Sequence, residues 1–171
     1  MSLLKRLFGN SVRDSAQARP LWHRIVELAR DPAWYARGGI ADTVPGRFDC
    51  IALVLGLVML RMEGHDDLRG PSARLTELFV EDMDGQLRQN GVGDLVVGKR
   101  IGKLMGVLGG RIDAFRSALA APEDAALIAA IERNVTLTES ADMAWIAAEM
   151  RRMADRLAAV DNPGLIAGRI G

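Results

Sequence analysis

The residues that could do chemistry are few, and their spacing argues for recognition rather than catalysis. The stretch Gly93-Asp94-Leu95-Val96-Val97-Gly98-Lys99-Arg100 has the glycine and lysine spacing of a loop that cradles phosphates. That chemistry needs a Ser or Thr after the lysine to hold magnesium, and a buried strand before the loop. Arg100 stands at the magnesium position here, and the polar stretch Gln86–Asn90 comes before it. Nucleotide chemistry is not expected. His23 and His65 lie far apart, and the loop His65-Asp66-Asp67 falls short of the three or four ligands that a structural metal site gathers. Cys50 opens the most apolar run of the chain, where a thiol behaves as a small hydrophobe. Being a single cysteine, it also excludes an internal disulfide framework. No nucleophile stands beside a base, and no acid/base pair is evident. The expectation is a non-enzyme, with no catalytic residues, no metal and no cofactor.

What remains suits binding. Gly98, Gly102 and Gly106 recur every four residues, and Gly109-Gly110 follows. Each glycine inside a helix costs about 1 kcal/mol relative to alanine, so a helix with this stripe gives up much of its intrinsic preference. Small residues at this spacing let another backbone approach closely. The approaching backbone is either a helix of the same fold or a helix of a foreign partner, and spacing alone leaves both open. Lys99, Arg100 and Lys103 flank the stripe and Arg111 and Arg116 follow, with Asp113 the one acid between Val96 and Ser117. This cluster is either a solvated face or a surface that meets a partner. The preceding helical pattern is acidic, Glu77, Glu81, Asp82 and Asp84 outnumbering Arg74 and Arg88. A formal net charge of zero, from 22 basic and 22 acidic residues, therefore hides a polarised molecule. It also argues against DNA binding, which needs a strongly basic face to displace counterions. Near the start, Leu3, Leu4, Leu7 and Phe8 share a helical face beside Lys5 and Arg6. Such a segment is expected to touch an anionic membrane weakly and reversibly.

These residues need elements to position them. A chain of 171 residues with 49% hydrophobic side chains has material for one domain with a real core. The eleven-residue apolar run Cys50–Leu60 is too short to span a bilayer, which takes about 20 residues, so it reads as a central buried helix. Pro20 suits a first helical turn, and Leu21, Ile25, Leu28 and Ala29 repeat at helical spacing until Pro32. Thr43 is placed to cap a second helix running to about Glu63, and Gly64–Pro71 reads as a loop. Leu75, Leu78, Phe79, Met83 and Leu87 mark a third helix that stops at Asn90-Gly91. A fourth runs from about Asp94 to Ala120, a fifth from Glu123 to about Val135, and a sixth from Ser140 to about Val160. In the sixth, Ala144, Trp145, Ala148 and Leu157 are expected to face inward. No alternating strand pattern appears. The fold class is all-α, an irregular bundle of about six helices. The organisation expected is an amphipathic segment and linker over 1–18, a single helical domain over 19–161 and a C-terminal tail over 162–171. With no secretory signal or transit pattern, the chain reads as bacterial and cytoplasmic.

Several separated blocks, in order, resemble the ubiquinol–cytochrome c chaperone family. Leu21-Trp22-His23-Arg24-Ile25-Val26-Glu27-Leu28-Ala29-Arg30-Asp31-Pro32-Ala33-Trp34-Tyr35 is similar to the start of that family. Gly46-Arg47-Phe48-Asp49 resembles its Gly-Arg-Phe-Asp signature, and Gly91-Val92-Gly93-Asp94, Gly98-Lys99-Arg100 and Gly110-Arg111 continue the likeness. The chain departs from the pattern at Val54, where a histidine is common, and at Gly109, where an aromatic residue usually stands. The resemblance implies a non-enzymatic assembly factor of the cytochrome bc1 complex. It implies binding of newly made cytochrome b, action beside a small partner protein near the ribosomal tunnel exit, and peripheral association with the inner membrane. The client- or partner-binding candidates are Arg47, Phe48, Asp49, Gly93, Asp94, Gly98, Lys99, Arg100, Gly102, Lys103, Gly106 and Arg111. Phe48 is expected to start the buried face of the central helix. Arg47 or Asp49 is expected to form a fixed ion pair, with the Lys99–Arg100 region as its partner.

Overall fold

The apolar run that opens at Cys50 dictates the centre of the fold. In a computed structural model, which describes residues 18–89 and 94–171 and gives only the backbone of 84, 86–89 and 94–101, it lies within helix α3 (Val44–Met62). Every residue from Cys50 to Val58 is buried. A helix apolar all round needs neighbours on all sides.

In chain order the elements are α1 (residues 18–29), α2 (Pro32–Ala36), α3, a 3₁₀ turn (Asp66–Leu68), α4 (Arg69–Gln89), α5 (Asp94–Ala120), α6 (Ala125–Asn134), α7 (Met143–Ala159) and α8 (Asn162–Ile166). The described residues hold no strand, only an isolated antiparallel bridge between Ile40 and Leu137. The fold is all-α.

Two compact units share these helices. One comprises Ile25–Arg61 and Gly106–Ala159. Its core gathers α3 residues with Ile25, Trp34, Ile40, Leu108, Phe115, Leu127, Ile131, Ile146, Met150 and Leu157, all buried. Asp31 caps α2 by accepting from Ala33 N–H at 2.8 Å, and Pro32 takes the first turn, where its missing donor costs nothing. Trp34 Nε1 then donates to Leu28 O at 3.1 Å and meets Trp145 edge-on at 5.8 Å. The turn that follows needs Gly39, whose φ is +77°. Gly46 is needed for a different reason: a Cβ there would lie 1.9 Å from Ala41 O.

The other unit comprises, of the described residues, 18–24, those within Met62–Met105, and Val160–Gly171. Trp22 packs edge-on against Phe79, with ring centroids 6.3 Å apart, beside buried Leu21, Leu68, Leu75 and Met83. Residues 162–171, set apart in sequence as a tail, carry α8 and bury Leu165 and Ile170. Arg24 donates from Nε and Nη2 to Ile170 O at 3.1 and 2.8 Å. The His65-Asp66-Asp67 loop has a structural occupation. Asn162 Nδ2 donates to Asp67 Oδ2 at 2.8 Å and lies 3.3 Å from His65 Nδ1.

Two sequence expectations need correction. The loop Gly64–Pro71 is shorter than expected, because Leu68 is buried and Pro71 sits in the first turn of α4, where proline is tolerated. The inward face of α7 is formed by Ile146, Ala147, Met150, Met153 and Leu157. Of the expected residues Leu157 is buried, Ala144 is exposed, and Trp145 and Ala148 are only half-buried. Trp145 lies beneath the Arg37 guanidinium, 5.4 Å from its ring centroid. The segment Met1–Gly9 lies outside the described residues.

Candidate functional site

The Gly-Arg-Phe-Asp block and Gly110-Arg111, 62 positions apart from Asp49 to Arg111, meet in one junction. The first turn of α3 is held by Thr43, whose Oγ1 accepts from Gly46 N–H at 3.3 Å. This aims Asp49 inward. Its side chain is 7% exposed, and Arg111 Nη2 on α5 approaches Oδ1 at 2.6 Å. The other oxygen, Oδ2, accepts from Thr136 N–H at 2.8 Å and from Thr136 Oγ1 at 2.6 Å. One carboxylate thus ties the start of α3, the middle of α5 and the α6–α7 connection together. Ala41 N–H donating to Thr136 O at 2.9 Å extends the same seam.

Phe48 is half-buried rather than fully within the core, and its ring centroid lies 5.5 Å from the Arg111 guanidinium carbon. Arg111 Nε and Nη1 are buried with no acceptor among the described residues. The Asp49 bond and the aromatic face therefore hold the cation. Arg47 points the other way, to exposed Asp42, with Nε 2.6 Å from Oδ1. That hydrogen bond lowers the Asp42 pKa. The expected ion pair of Asp49 is thus present with Arg111 as its partner, further along α5 than Lys99 and Arg100. The side chains of Asp94, Lys99 and Arg100 and the whole of Gly93 lie outside the described residues, as does the surface of Gly98.

The two stretches of α5 around this junction differ. From Leu108 onward the inward residues Leu108, Phe115 and Ala118 are buried. Gly56 on α3 faces this stretch: a Cβ there would stand 3.6 Å from Ile112 and from Phe115, an ordinary van der Waals contact. Arg151, which sequence reading missed, completes the end of α5. It donates to Leu119 O at 3.2 Å, Ala121 O at 3.0 Å and Glu123 O at 3.3 Å, and pairs with Asp124 at 2.6 Å. Carbonyls at a helix end lack intrahelical partners, and this arginine supplies them.

The glycine stripe has no such company. Among the described residues, a Cβ built at Gly102, Gly106, Gly109 or Gly110 would meet nothing within 4 Å. Lys103 is exposed and Val107 is 37% exposed on the same helix. Among the described residues, no neighbour packs closely on these four glycines. At Gly109, where the family pattern has an aromatic residue, the space for a side chain is open.

Other reactive groups are buried or engaged. Burial pushes the Cys50 thiol up to about 12, only partly offset by a hydrogen bond with Tyr35. The Tyr35 hydroxyl, itself raised by burial, donates to Ala29 O at 2.7 Å. Cys50 is the small buried hydrophobe that its sequence position suggested. Among the described residues, no cluster of His, Cys, Asp or Glu could hold a metal ion, and no helix is long and apolar enough to cross a membrane.

The described residues are thus all-α, with an Asp-Arg pair joining the two sequence blocks. Residues 36–170 match the family model of the ubiquinol-cytochrome C chaperone, and the chain belongs to that family. It is similar to the Cbp3 homolog from Brucella abortus, known from a crystal structure, with a TM-score of 0.82 and 30% sequence identity. That match covers 99% of this chain and 96% of the other. No curated protein matches the chain.

Proposed function

We propose that this protein is a non-enzymatic assembly chaperone of the ubiquinol–cytochrome c reductase (bc1) complex that holds newly made cytochrome b, using the open glycine face of α5. Family membership supports the chaperone role. The observation that carries the site is that no described residue comes within 4 Å of a Cβ at Gly102, Gly106, Gly109 or Gly110. Membrane-spanning helices associate largely through close backbone approach over small residues, because lipid offers no hydrophobic drive between them. A surface that admits a backbone so closely can stand in for the neighbouring helix that an unassembled client lacks. Val107 adds apolar area, and Lys103, with Lys99 and Arg100 in sequence, steers acidic flanks of the client. The Asp49–Arg111 junction holds α5 so that the face is presented on a fixed helix.

In this reading Met1–Gly9 keeps the chaperone at the membrane where its client inserts. Leu3, Leu4, Leu7 and Phe8 enter the headgroup boundary while Lys5 and Arg6 meet anionic lipid, each cation near the surface contributing about 1 kcal/mol. Binding to anionic liposomes should fall when residues 1–9 are deleted. Equal flotation of both forms would remove this role.

The function is tested by purifying a tagged copy from its own cells. Recovery of cytochrome b, alone or with ribosomes and a small partner protein, supports the proposal. A different membrane protein as the main client would make the chain a peripheral adaptor instead.

A further inference from the structure

We draw no further inference here: the strongest candidate, the exposed glycine face of helix α5 at Gly102, Gly106, Gly109 and Gly110 with Val107 beside it, belongs to the client surface already proposed, and nothing in the structure shows what else covers it.

Discussion

Helix α5 carries two neighbouring regions built on opposite terms. At Arg111 and beyond, the helix is tied down: Arg111 meets Asp49, Ile112 and Phe115 lie beside Gly56 of α3, and Arg151 donates to the Leu119 carbonyl. At Gly102, Gly106, Gly109 and Gly110 a Cβ would meet nothing within 4 Å among the described residues. The first region holds the fold together at high interaction energy. The second lowers helix preference, by about 1 kcal/mol for each glycine, with no packing return among the described residues. In the proposed function, a helix that weakens itself in one stretch while being firmly bound in the next would separate stability from binding along its own length. Substitutions in the two regions should therefore change different observables.

The largest effect belongs to the Asp49–Arg111 junction. Arg111→Ala leaves a buried carboxylate without its cation, and breaking such a pair costs about 3–5 kcal/mol. Urea unfolding should show this loss as a lower midpoint. A midpoint near that of the parent protein would mean the junction contributes little. Gly46→Ala should come next, because its Cβ would press on Ala41 O and the local backbone must shift. Overpacking of this kind costs about 1–3 kcal/mol, readable in the same unfolding curve.

Exposed Asp42 and Arg47 mark the small end of the scale. The Asp42 carboxyl is held below its ordinary value by Arg47, so the pair stabilises the fold above the usual carboxylate range. That contribution fades as pH falls through the lowered Asp42 value. Both groups are solvated and the pair is screened, so Asp42→Asn should leave thermal unfolding at neutral pH unchanged. A clear drop would show that the pair supports the α3 start more than its exposure suggests.

How much of this was legible in the sequence follows from what each feature depends on. The centre of the fold was readable because Cys50–Leu60 is apolar on every side of a helix, so its burial needed no knowledge of neighbours. The ends of α5 at Asp94 and Ala120 were equally plain. The face of α7 was not: alanines such as Ala144 and Ala147 fit either side of a helix, and the choice rested on partners remote in sequence. Helices α2 and α8 have five residues each, too short to display a period. A family signature flagged Asp49 and Arg111 separately, yet nothing in their types paired them, since other arginines competed for the same carboxylate. For the glycines, spacing established a small-residue stripe but could not say which way it faced. That depends on the rotation of α5, which Leu108, Arg111 and Phe115 set from the opposite side.

The most direct test of the account is the double variant Gly102→Ala/Gly106→Ala, measured for thermal stability and for client recovery from the same cells. Both added methyl groups enter open space, and each replacement should gain about 0.5–1 kcal/mol of helix stability. For a chain of this size, that corresponds to about 2–4 °C in Tm per kcal/mol. The account predicts a higher Tm together with reduced recovery of cytochrome b, because the methyl groups hold the client's backbone away. A higher Tm with undiminished recovery of cytochrome b would contradict it, and would remove the glycine face from the binding surface.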